Sequence, residues 1–217
     1  MINKKIPELF VPENSKKYHG GPICISGPPG VGKSTIGKKV AERIGVPFFD
    51  LDNLVAEKYG VETSREVIQE KGTKFFRKLS HNCLKEVLKK KKGTYILGFG
   101  GATIIHLKKG DLKDKNKELV EKYAFTICLL PLKDIIKSVK ILWSRQDDGK
   151  RLTGIKTQKE YQSYLKERMI GYIESADLVV YTHHASIKKI VSKISFSFNK
   201  LGIPVKKGLS EKETLDF

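Results

Sequence analysis

Short unbroken apolar runs alternate along this chain with longer stretches in which apolar positions recur every three or four residues. Ile23-Cys24-Ile25 is the first such run, and it closes on a glycine-rich turn, as a buried strand does. Lys33 to Ile44 then carries Ile36, Val40 and Ile44 at helical spacing and stops at Gly45. Phe48-Phe49 predicts a second strand, and helical stretches follow through Val55, Ile68 and Phe76 to Leu88. Tyr95-Ile96-Leu97 predicts a third strand running into a glycine turn at Gly98 to Gly101. Phe125 to Leu130 predicts a fourth, with a helix from Leu132 to about Trp143. A polar stretch from Gln146 to Thr157 separates these from a helix around Tyr161 to Tyr172, a strand at Leu178 to Tyr181, and a last helix carrying Ile187, Ile190, Val191 and Ile194.

Strands that are apolar throughout are covered on both faces, and their alternation with helices predicts a parallel sheet. The expectation is therefore a three-layer α/β/α domain with a five-stranded parallel sheet. It spans residues 21–200, with an N-terminal arm over 1–20 and a C-terminal tail over 201–217.

Composition narrows the class. A chain of 217 residues that is 39% hydrophobic and 30% charged can bury a core, which excludes wholesale disorder. It has no run of eighteen apolar residues of the kind that spans a bilayer. Lys4 and Lys5 are followed by Pro7, Glu8, Pro12 and Glu13 rather than by an apolar signal core. Cys24, Cys83 and Cys128 are odd in number and far apart, which predicts buried reduced thiols in a cytoplasmic protein. The formal charge of +18 could suit a nucleic-acid binder, but only six of the 42 basic residues are arginine. Lysine-biased helix faces without an aromatic-rich stretch read as solvated surface, so no specific nucleic acid is expected; no membrane partner and a monomeric protein complete the expectation. Where arginine is scarce, each one is more plausibly kept for its planar, bidentate geometry.

Gly27-Pro28-Pro29-Gly30-Val31-Gly32-Lys33-Ser34-Thr35 fits G-x-x-x-x-G-K-[ST] between a strand and a helix. Glycines let successive backbone N–H groups turn inward as a phosphate nest at the positive end of the following helix. Gly30, Val31, Gly32, Lys33, Ser34 and Thr35 are the nucleotide-binding residues this motif supplies. Lys33 reaches toward the β- and γ-phosphates, and the Ser34 hydroxyl suits Mg²⁺, a hard ion that takes oxygen ligands. The motif is shared by GTPases, nucleic-acid-acting ATPases and small-molecule kinases, so it leaves the phosphate acceptor open. Phe48-Phe49-Asp50-Leu51-Asp52 adds a carboxylate pair. Alternation along a strand sends Asp50 and Asp52 to one face at the carboxyl end of the sheet, where one can serve Mg²⁺ and the other an attacking hydroxyl. Asp52 alternatively caps the helix beginning near Asn53.

Taken in order, the phosphate loop, Phe-x-Asp-x-Asp, Phe76-Arg77, the glycine turn and Arg168-x-x-x-Tyr172 resemble the shikimate kinase family, from about Pro22 to Tyr181. The resemblance implies the nucleoside monophosphate kinase-like fold with a lid segment, and transfer of a phosphoryl group from Mg²⁺-bound ATP to a hydroxyl of shikimate. It implies Asp52 as base and acceptor contact, Asp50 in the Mg²⁺ shell with Ser34, and Arg77 and Arg168 on the acceptor carboxylate. Gly100 and Gly101 match the last two glycines of the family's acceptor turn. Trp143 to Arg151 resembles the lid, with Arg145 near the nucleotide and Arg151 on the transferring phosphoryl group beside Lys33. Three positions depart from the pattern. Phe99 replaces the first glycine of the turn, Arg151-Leu152-Thr153-Gly154 replaces Arg-Pro-Leu-Leu in the lid, and Ser80 stands where an acidic residue orients the Phe-Arg arginine. All three lie toward acceptor or lid. A different small-molecule or nucleotide kinase, or a nucleic-acid-associated P-loop NTPase, are the alternative readings. His183-His184, Trp143 and Phe75-Phe76 are expected in loop or core roles.

Overall fold

The computed structural model describes residues 8–13, 15, 17–100, 103–105, 111–145 and 155–203. The apolar runs build a central sheet from β2 (Pro22–Ser26), β3 (Phe48–Asp50), β4 (Tyr95–Gly98), β5 (Phe125–Leu130) and β6 (Leu178–Tyr181). A sixth strand, β1 (Glu8–Phe10), joins at the edge, giving the order β1-β6-β5-β2-β4-β3. Five strands are parallel as expected, but the sheet has six, because β1 pairs antiparallel with β6 through Leu9 opposite Val180. This strand falls in the segment anticipated as an arm. Its attachment continues through Ser15, whose Oγ donates to Asp177 O at 2.8 Å, and Tyr18, whose hydroxyl donates to Gly21 O at 2.8 Å.

Every residue of β2, β4, β5 and β6 is buried, as strands sandwiched between helical layers must be. The helices are α1 (Lys33–Ile44), α2 (Leu51–Tyr59), α3 (Ser64–Lys90), α4 (Asp111–Tyr123), α5 (Ile135–Ser144), α6 (Gln158–Glu174) and α7 (Ile187–Lys200). α1 buries Ile36, Val40 and Ile44 as its spacing predicts and packs against α7 and β4. α3 breaks at Gly72, whose φ of 77° and ψ of 167° are not helical, so Phe76-Arg77 opens a fresh segment. α4 has no counterpart in the periodicity reading. α6 starts on a reciprocal cap in which Thr157 accepts from Glu160 N and the Glu160 carboxylate accepts from Thr157 N. Cys24, Cys83 and Cys128 are all free and buried. No helix among the described residues is long and apolar enough to cross a membrane.

Topology locates the cleft. β2 and β4 are neighbours, yet the chain leaves β2 toward β3 on one side and leaves β4 toward β5 on the other. Adjacent strands whose connections part in this way open a crevice at their carboxyl ends. The phosphate loop follows β2 and the glycine turn follows β4.

Candidate active site

Between Ser26 and α1 the chain must reverse close to β5. A Cβ added at Gly27, where φ is 135°, would lie 2.3 Å from Leu129 O, so only glycine fits against that backbone. Gly32 is the N-cap of α1 with no side-chain cap, which leaves first-turn amides and the positive helix end facing the loop. Lys33 Nζ folds back over the loop and donates to Gly27 O and Pro28 O, each at 2.9 Å. Burial pulls its ammonium down to about 8, while the Asp52 and Asp50 carboxylates pull the other way. Gly30, Val31 and Gly32 form the loop backbone, and Thr35 is exposed in the first turn of α1.

Ser34 Oγ donates to Asp50 Oδ2 at 2.8 Å, and Asp50 Oδ1 accepts from Asp52 N at 3.1 Å. Asp50 thus ends β3 and caps α2. This corrects two expectations: the strand stops before Asp52, which sits in the first helical turn, and the capping aspartate is Asp50. Both carboxylates nonetheless line one cavity of about 770 Å³. Burial first, and the Asp50 charge second, push the Asp52 carboxyl up to about 6, with Lys33 opposing. A carboxylate tuned toward neutrality is suited to proton transfer.

The same cavity gathers Lys33, Ser34, Arg77, Gly100 and Arg168, from α1, α3, the turn after β4, and α6. Gly100 abuts Asp52, since a Cβ there would stand 3.8 Å from Asp52 Oδ2. The two arginines differ sharply. Arg77 is exposed, whereas Arg168 is only 9% exposed. Arg168 Nη1 donates to Tyr164 O at 3.3 Å, its guanidinium carbon lies 3.8 Å from the Tyr164 ring centroid, and its buried Nε–H has no partner among the described residues. Ser80 and Phe99 also line the cavity and are buried. Arg145 lies outside the lining, close enough to His183 for its charge to help depress that imidazole, after burial and His184. Gly101, Arg151 and lid residues 146–154 lie outside the described residues.

Among the lining residues that were not anticipated are Asn116, Thr103 and Tyr164. Asn116, on α4 and 6% exposed, donates from Nδ2 to Thr103 O at 2.8 Å and meets His81 Nδ1 at 2.7 Å through Oδ1. Thr103 N in turn donates to Gly100 O at 3.0 Å, so a buried amide ties the glycine turn to α3. Nothing in sequence marks it. Tyr164, four residues before Arg168, could have been found by asking which aromatic backs an arginine on one helix face. Of the residues expected in the core, Phe76 lines the cavity and Phe75 is 41% exposed.

The family model described as shikimate kinase matches residues 29–197. The chain is similar to the shikimate kinases of Francisella philomiragia and Francisella tularensis subsp. novicida, each 31% identical over 173 residues, covering 80% of this chain and 92% of the relative. Its fold is similar to a shikimate kinase from Acinetobacter baumannii in complex with shikimate, with a TM-score of 0.69 and 24% identity over 83% of this chain and 93% of that one. A shikimate kinase from Bacteroides thetaiotaomicron aligns with a TM-score of 0.61 at 24% identity, over 83% of this chain and 99% of that one.

Proposed function

The chain belongs to the shikimate kinase family and is an ATP-dependent kinase with an alcohol acceptor; from that premise we propose that the acceptor is shikimate and the product shikimate 3-phosphate. The observation that carries this reading is the shared cavity. It joins the phosphate loop and a carboxyl group whose pKa is raised to about 6 to a buried arginine with an unpaired donor among the described residues. Arg168, with Arg77 nearer solvent, suits the carboxylate of the acceptor. Three buried thiols suit a reducing compartment, and the activity is assigned to the cytoplasm.

In this mechanism the loop amides cradle the ATP phosphates, and Lys33 leaves the Gly27 and Pro28 carbonyls to meet them. Asp52, ionised above about pH 6, accepts the proton of the attacking hydroxyl. The new bond joins that oxygen to the γ-phosphorus, and ADP departs with the electrons of the broken bridging bond. Lys33 offsets the negative charge that spreads as this happens. The hydroxyl of Ser34 and the carboxylate of Asp50, 2.8 Å apart, are hard oxygen donors of the kind that would hold Mg²⁺. When bound, that ion neutralises phosphate charge.

The test is an ADP-release assay with shikimate, with water, and with the triol lacking its carboxylate. Shikimate should be turned over and the neutral triol poorly, and Lys33→Ala should lower turnover on the order of 10²–10³-fold while circular dichroism stays native. Equal use of the neutral triol would exclude shikimate as the selected acceptor.

A further inference from the structure

On the reading that Arg168 grips the acceptor carboxylate, we propose that Tyr164 is the positioning residue that presents Arg168 to it. A guanidinium binds a carboxylate in bidentate fashion only when its plane is set correctly, and a free arginine side chain samples many planes. Two contacts from Tyr164 fix this one. The ring lies 3.8 Å beneath the guanidinium carbon, and the Tyr164 carbonyl accepts from Nη1 at 3.3 Å. The bond from Nη1 leaves the edge bearing Nε, whose N–H is buried and has no partner among the described residues. Arginine does not shed its charge, so an anion is the natural occupant of that donor. Tyr164 and Arg168 both line the cavity.

The supporting ring is itself fixed. Tyr161 stacks on it with centroids 5.9 Å apart and planes 15° apart, and the Tyr161 hydroxyl donates to Pro29 O in the phosphate loop at 3.2 Å. Residues 161, 164 and 168 fall at i, i+3 and i+7, on one face of α6. The guanidinium plane is thereby referred to the loop through two rings.

The experiment compares Tyr164→Leu, which fills space without a π face, with Tyr164→Phe, which keeps the face and loses only the hydroxyl. Steady-state kinetics are run separately in shikimate and in ATP. Tyr164→Leu should raise the shikimate KM about tenfold, with the ATP KM unchanged to about twofold, and Tyr164→Phe should match the parent. A trifluorinated phenylalanine at position 164, which weakens the ring quadrupole at nearly constant shape, should fall between them and serves if Tyr164→Leu does not fold. A normal shikimate KM in Tyr164→Leu beside a raised one in Arg168→Ala would overturn the positioning role alone. A normal shikimate KM in Arg168→Ala would overturn the acceptor reading with it. Parallel rises in both KM values would reduce Tyr164 to a packing residue.

Discussion

The phosphate loop and the wall that the proposed function gives to the acceptor are two halves of one cavity built by different means. The loop is made by main chain: Gly27 pressed against Leu129 O, Lys33 tied to the Gly27 and Pro28 carbonyls, and an uncapped helix start. The acceptor wall is made by side chains from α3, the turn after β4, α4 and α6. A main-chain site tolerates almost any neighbours provided its glycines stay in place, so it is constant in form. A side-chain site is set by partners far apart in sequence, and here it holds the departures Ser80 and Phe99 beside Tyr164. On the proposed reading, the chemistry is lodged in the main-chain half and the choice of acceptor in the side-chain half.

The sharpest way to break that division is Asp52→Asn, because Asp52 stands where the halves meet. It should lower kcat by about 10²–10⁴-fold. For the unaltered chain, kcat/KM should rise through about pH 6 as Asp52 ionises and fall above about pH 8 as Lys33 loses its proton. The asparagine variant should keep the upper limb and lose the lower one. Stability should move oppositely. The Asp52 carboxyl titrates at about 6 in the fold against an ordinary aspartate value of 3.8, so the folded chain binds the proton more readily and ionisation opposes folding. That contribution is favourable below the unfolded value and is lost as pH rises through about 6. Asp52→Asn should therefore raise the Tm of the unliganded protein at pH 8, on the order of 2–4 °C. Persistence of the lower kinetic limb in the variant would assign it to another group.

Next in size is the contrast between the two arginines. Arg168→Ala removes a nearly buried guanidinium and should raise the acceptor KM roughly 10–100-fold. Arg77→Ala removes one that water already solvates and should raise it only about 2–5-fold. Ser80, three residues on and buried, brings no countercharge to hold Arg77 in place. Equal effects would mean that the acceptor recruits Arg77 as firmly as Arg168, and the wall would be less adjustable than its unliganded form.

The same division governs how much sequence revealed. The parallel strands were legible because Ile23-Cys24-Ile25 and Leu178-Val179-Val180 are apolar without interruption, which only a doubly covered strand requires. The loop was legible because its parts lie within nine consecutive residues. β1 was not, since Glu8-Leu9-Phe10 is a three-residue edge strand whose partner, β6, lies at the other end of the chain. α4 escaped because its apolar positions, Leu112, Leu119 and Val120, are sparse among charges, and with it went Asn116. The boundary at Asp50 was misplaced because a strand end and an N-cap favour the same short polar residues. Arg77 and Arg168 were singled out through family order, but the burial that separates them depends on packing that no local pattern carries.

Tyr161→Phe is the smallest change and the one that asks whether the halves are mechanically joined. It deletes only the hydroxyl that donates to Pro29 O and leaves the ring stacked on Tyr164. A bond of this kind contributes about 1 kcal/mol net, so rate effects beyond about fivefold are not expected. Direction matters more than size. If α6 is a strut between the loop and Arg168, losing its upper tie should raise the ATP and shikimate KM values together, by about 2–5-fold each, because either ligand then has to order the helix itself. If α6 belongs to the acceptor wall alone, only the shikimate KM should move, since Tyr164 loses its backing while the loop keeps the hydrogen bonds that Lys33 makes to Gly27 and Pro28. A rise confined to ATP would place Tyr161 with the loop and detach it from the ring stack, leaving Tyr164 to hold Arg168 unaided.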